Sequence, residues 1–76
     1  MRTAHLPFAY RLALLSAREL HAACLYADGC SNQQVYRLLG TVSQTRQRVL
    51  EKLSLSKASQ LREYRAELKA RAGFIT

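Results

Sequence analysis

Ser31 to Leu53 reads SNQQVYRLLGTVSQTRQRVLEKL, and this stretch decides the architecture. Ser31 has Gln34 three residues on. That is capping-box spacing: the hydroxyl takes the third helical N–H and the amide side chain reaches back to the cap. Val35, Leu38 and Leu39 then make a buried face, and Gly40 ends the helix. A further helix runs to about Leu53. It opens either at Thr41, with Gln44 at the capping-box position, or at Ser43, which leaves Gly40 to Val42 as the turn. Val42, Val49, Leu50 and Leu53 fall on one side of it, and Ser43, Gln44, Gln47, Arg48 and Glu51 on the other. A short capped helix, a glycine corner and a second helix with a polar face outline a helix-turn-helix over about residues 31–53.

The flanks read as helix too, and strand signals are almost absent. A first helix begins near Pro7, carries Phe8, Leu12 and Leu15 on one face, and ends near Leu15. Ser16 with Glu19 forms another capping box, opening a second helix over Ala17–Ala27. Its Leu20, Ala23, Cys24 and Ala27 make one stripe, and Asp28-Gly29 stops it. Ser56 caps a C-terminal helix of roughly residues 57–72, with Ala58, Leu61, Tyr64, Leu68 and Ala72 in a stripe able to pack on the domain or on a second copy. The terminal GFIT reads as a loose tail. The expectation is a single all-α domain over residues 1–76, with four to five short helices.

Size and charge remove several function classes. A chain of 76 residues buries only about 60% of the surface its unfolded form exposes, which argues against a deep catalytic cavity. Twelve Lys and Arg against five Asp and Glu give a net charge of +7. Such an excess points to a polyanion, nucleic acid before membrane. No apolar run, LALL at 12–15 included, approaches the length of a membrane span, and no signal-peptide pattern opens the chain. Cys24 and Cys30 lack zinc spacing and read as reduced thiols of a cytoplasmic protein. His5 and His21 have no nucleophile or metal partner at a useful spacing, and Glu19 is explained as a cap partner. No enzyme, metal, cofactor or small-molecule ligand is expected.

Residues 43–48, S-Q-T-R-Q-R, are the polar segment whose chemistry exceeds what solubility needs. A solvated helix face usually alternates Glu with Lys, whereas here every residue is neutral or cationic. Gln bonds adenine N6 and N7, and Arg bonds guanine O6 and N7, each in bidentate fashion. Ser43, Gln44, Arg46, Gln47 and Arg48 are therefore the candidate base contacts. Ser31, Asn32 and Gln33 gather at a helix N-terminus, where free N–H groups favour an anion, and Arg37 lies one turn on. With Thr41, Thr45, Lys52 and Lys57 they form the candidate phosphate contacts.

The runs LSARELHAACLYADGCSNQQVYRLLG and TVSQTRQRVLEKLSLSKASQLREY, covering Leu15 to Tyr64, resemble the LuxR/GerE-type helix-turn-helix of bacterial response regulators and quorum-sensing activators. LSARE, the ADGCSNQQV corner, LLG, and KLSL followed by SQL carry the likeness through their order and spacing. The resemblance implies a four-helix domain that binds double-stranded DNA, a recognition helix within 41–53, and a last helix that commonly dimerises. The chain departs from the family in lacking a short segment of the turn after Gly40. Ser43 and Thr45 also replace the usual lysine and histidine, so the family's base preferences do not carry over. Only Met1–Leu14 precedes the match, too little for a receiver or inducer-binding domain. Two forms of regulator fit: a complete small repressor or accessory regulator, as in plasmids and phages, or the N-terminal module of a longer protein. The rival functions are a protein-interaction module that pairs with a full-length regulator, and a promoter-recognition module resembling sigma factor region four.

Overall fold

In the computed structural model, which describes residues 5–75, the elements are α1 Phe8–Ala13, α2 Ala17–Ala27, α3 Asn32–Leu39, α4 Ser43–Leu53, a 3₁₀ helix Ala58–Tyr64 and α5 Arg65–Ile75. No strand occurs among the described residues, and the fold is all-α. Both capping boxes form. The Ser16 N–H donates to Glu19 Oε1 at 2.8 Å and the Glu19 N–H to Ser16 Oγ at 3.2 Å. Ser31 and Gln34 do the same at 2.8 and 3.3 Å. Each places a helix start within one residue of its serine, because the bonds satisfy two of the N–H groups that a helix end leaves orphaned.

The stops are glycine-built. Gly29, at φ 92°, donates to the Tyr26 carbonyl while Cys30 donates to that of Leu25, the paired bonds of a Schellman motif. Gly40, at φ 79°, donates to the Tyr36 carbonyl at 2.7 Å. Ser43 is the first residue of α4, so the turn is Gly40–Val42, the later of the two starts the sequence allowed. Neither hydroxyl caps it; Val42 holds the cap position without a side-chain bond.

Helix α2 lies at the centre, packed on α3, α4, the 3₁₀ helix and α5, while α1 packs on α4 and α5. Its Leu20, Ala22, Ala23, Cys24, Tyr26 and Ala27 are buried, and Val35, Val49, Leu53, Leu61 and Leu68 come in from the surrounding elements with no exposed surface. Leu38, expected inside, is 63% exposed. The short α3 meets the core along Val35 and Leu39, and Leu38, about 100° around the helix from Leu39, clears it.

The C-terminal segment departs from the single capped helix expected. Lys57 occupies the cap position, and Ser56 donates rather than accepts: Gln60 Oε1 takes the N–H groups of Ser56 and Lys57 at 2.8 and 3.0 Å and the Ser56 hydroxyl at 3.2 Å. The apolar spacing explains the 3₁₀ geometry. Ala58, Leu61 and Tyr64 are three apart, matching three residues per turn, whereas Tyr64, Leu68 and Ala72 are four apart, matching an α-helix. The change of winding falls where the spacing changes. This stripe packs on the chain's own core, with the Phe8 and Tyr64 rings stacked at 4.0 Å. Helix α5 continues through Gly73, Phe74 and Ile75, so three residues of the expected tail are helical; Thr76 lies outside the described residues.

Three polar ties hold the elements in register. Arg11 donates to the Leu6 carbonyl at 3.0 Å and to the Leu53 carbonyl at 2.8 Å, bringing a cation to the negative end of α4. Asp28 takes Arg65 Nε at 2.8 Å and Lys69 Nζ at 2.6 Å, joining the end of α2 to α5. Lys52 donates to Glu19 Oε1 at 2.7 Å, linking the start of α2 to the last turn of α4. Burial alone would raise the Glu19 pKa, but hydrogen bonds from Lys52 and Ser16 and the Lys52 charge outweigh it, and the net shift is downward.

A carboxylate whose folded pKa lies below its unfolded value adds stability that is present above the unfolded pKa and lost as pH falls through the folded one. Thermal melts should therefore show stability falling on acidification from near 4.5, the ordinary value for Glu19, with Asp28 contributing in the same direction. Glu19→Gln should flatten that slope; parallel profiles for the two proteins would remove Glu19 from the account. Gly40→Ala should cost about 1 kcal/mol through backbone strain alone, because nothing lies within 4 Å of the added methyl. Urea unfolding measures it, and an unchanged midpoint would mean the left-handed cap is dispensable.

Candidate nucleic-acid interface

Helix α4 divides its circumference cleanly. Thr45, Val49 and Leu53, at four-residue spacing, turn into the core, and Ser43, Gln44, Gln47, Arg48 and Glu51 are exposed on the opposite arc. Arg46 and Leu50 sit half-buried on one border of that arc. Gln47 Nε2 donates to Glu51 Oε1 at 3.3 Å, one turn along the exposed row. Four of the five expected base contacts, Ser43, Gln44, Gln47 and Arg48, thus share one open face, while Arg46 stands beside it.

The expected phosphate contacts separate into those on the surface and those engaged in the fold. Gln33, Arg37 and Lys57 are exposed. Ser31 is also exposed, with its hydroxyl accepting from Gln34 as a cap. Asn32 Oδ1 accepts from the Tyr26 hydroxyl at 2.7 Å, so that oxygen fixes the corner between α2 and α3. Thr41 is half-buried in the turn. Thr45 is only 7% exposed, contrary to its expected place at a phosphate. It belongs by register to the Val49 and Leu53 stripe although its neighbours in sequence are polar. Lys52, also expected at a phosphate, is half-buried and bound to Glu19. Its partner lies 33 residues away, where no local pattern could show it.

Arg62 was not singled out from the sequence, yet it borders the same surface. A cleft of ≈ 490 Å³ runs along α4 beside Ser43, Arg46, Gln47 and Lys57. A second, of ≈ 430 Å³, lies between the α2–α3 corner and the 3₁₀ helix beside Ser31, Asn32, Ser59 and Arg62. Arg46 and Ala58 line both, so the two clefts adjoin along a shared wall as a divided trough. The register of the 3₁₀ helix was the available signal: Ser59 and Arg62 are three apart and share an outward side.

Charge is sorted around the molecule. Glu19 and Asp28 hold Lys52, Arg65 and Lys69 in ion pairs. By contrast Arg37, Arg46, Arg48, Lys57 and Arg62 have no carboxylate partner among the described residues. Arg46, Lys57 and Arg62 line the trough, and Glu51 lines its α4 part with them.

The thiols do not form a reactive site. Burial raises the Cys24 pKa, and its Sγ–H donates to the Leu68 carbonyl at 3.6 Å. Cys30 is half-buried and unbridged. Among the described residues no three His, Cys, Asp or Glu side chains cluster to hold a metal, and no helix is long and apolar enough to cross a membrane. Comparison with models of known protein families, with curated proteins and with solved structures finds no match.

Proposed function

We propose that this chain binds double-stranded DNA sequence-specifically, placing α4 in the major groove as the second helix of a helix-turn-helix, and so regulates transcription. The observation that carries the reading is the row Ser43, Gln44, Gln47 and Arg48, exposed on one face of α4 and needed by none of the core packing. The major groove is about 12 Å wide and accepts one helix, and glutamine and arginine match the edges of adenine and guanine there. Glu51 in the same row accepts from a cytosine amine or holds Gln47 in place. Arg37, Lys57 and the N-terminus of α3 supply backbone contacts that fix register without reading sequence. The LuxR/GerE likeness of Leu15 to Tyr64 supports the same placement, as do Arg46 and Lys57, which line the cleft beside Ser43 and Gln47.

A second reading is pairing with another regulator chain, and one observation favours it. Tyr36 and Leu38 on α3 are 59% and 63% exposed, an apolar content unneeded for phosphate contact.

Selection of bound duplexes from a random pool, followed by affinity for the enriched and a scrambled site across a salt series, separates the two. An enriched motif is expected, and its symmetry reports whether one copy or a dimer binds. Gln47→Ala should cost about 1 to 3 kcal/mol on that motif and little on scrambled DNA. Arg37→Ala should weaken both alike and reduce the salt slope by about one unit. Salt-sensitive binding without any motif would overturn the sequence-reading role and leave the pairing module in front.

A further inference from the structure

The geometry points to a phosphate clamp made by Arg46 and Arg62 in the trough between α4 and the 3₁₀ helix, seating one phosphodiester of the DNA backbone. This deepens the DNA-binding reading and rests on it. Arg46 leaves the set of base contacts, and Arg62, beyond the helix-turn-helix, joins the interface.

Arg46 lies half-buried on the border of α4 and lines both parts of the trough, below the exposed row. Its charge is close enough to Tyr26 to act on the phenol, opposing the rise that burial causes. That places it over the α2–α3 corner. Arg62 reaches the same corner from the other wall: its Nη2 is 3.1 Å from where a Cβ on Gly29 would stand. The bare glycine leaves room for the guanidinium to lie against its backbone.

Two like charges facing one concave site repel unless an anion lies between them. No carboxylate lines the cleft that Arg46 and Arg62 share; Glu51 lines the adjoining cleft along α4, where its Oε1 accepts from Gln47 Nε2. Asp28, next to Gly29, is already engaged by Arg65 and Lys69, and neither Arg46 nor Arg62 has an ion-pair partner among the described residues. Ser31 and Ser59 add hydroxyls to the lining. The eight-residue α3 begins there too, with its free N–H groups adding to the positive field. Arginine's planar fork suits the paired oxygens of a phosphate in a way lysine's point charge does not.

Fluorescence anisotropy with the enriched and scrambled duplexes in a salt series tests the clamp, comparing the unaltered protein with Arg46→Ala, Arg62→Ala, Arg46→Lys, Arg62→Lys and, as a charge-matched control, Arg18→Ala. Both alanine variants should lose at least about tenfold in affinity on both duplexes and about one unit of salt slope, and Arg18→Ala should lose neither. The lysine variants should recover the slope but not the full affinity. Arg62 is exposed, so its substitution leaves the fold intact, and circular dichroism melting checks this. If Arg62→Ala behaves as Arg18→Ala while duplex binding persists, the clamp is wrong and the DNA reading stands. Loss by Arg46→Ala on the enriched site alone would make Arg46 a base reader and overturn the clamp. Absence of duplex binding by the unaltered protein overturns both.

Discussion

Alanine side chains on α2 set how near α3, α4, the 3₁₀ helix and α5 can approach the centre. Ala22 and Ala23 have no exposed surface and Ala27 almost none, and α2 is the element on which α3, α4, the 3₁₀ helix and α5 all pack. A domain this small cannot surround a thick central helix. The bulk arrives from outside instead, as Val35, Val49, Leu53, Leu61 and Leu68, which share one buried cluster with those alanines. Large opposite small is how close packing is reached without voids. The position of α4, and with it the exposed row, follows from that fit and from its pins: Lys52 on Glu19 and Arg11 on the Leu53 carbonyl.

Those parts of the fold whose causes are local were legible in the sequence. The bounds of α2, both capping boxes and the glycine stops depend on residues three to five apart, and all were read correctly. The start of α4 was ambiguous because Thr41 and Ser43 carry equal local signals and the chain uses neither hydroxyl. Thr45 was misplaced because its composition is polar while its register is apolar, and the core decides by register. Lys52 and Arg62 depend on neighbours brought together only by folding. The winding of the C-terminal segment lies in the change from three-residue to four-residue spacing at Tyr64, a difference too small to stand out against a continuous α-helical stripe.

The excess of positive charge gains meaning from its distribution. Two of the five carboxylates hold three cations on the paths joining α2 to α4 and α5, while Arg46, Lys57 and Arg62, which line the trough, are in no ion pair among the described residues. Exposed pairs of this kind contribute little stability individually. Their larger effect is to neutralise cations at the α2–α4 and α2–α5 junctions, away from those that line the trough. A directed field orients a charged partner before contact as well as holding it afterwards.

The division of α4 into inward and outward residues separates two kinds of inheritance. Thr45, Val49 and Leu53 belong to the fold, and exchanging them disturbs every helix that meets the core. Ser43, Gln44, Gln47 and Arg48 are exposed positions, where substitutions usually change stability by less than about 0.5 kcal/mol. A lineage carrying this scaffold can therefore drift in what that surface recognises while its folding remains under separate constraint.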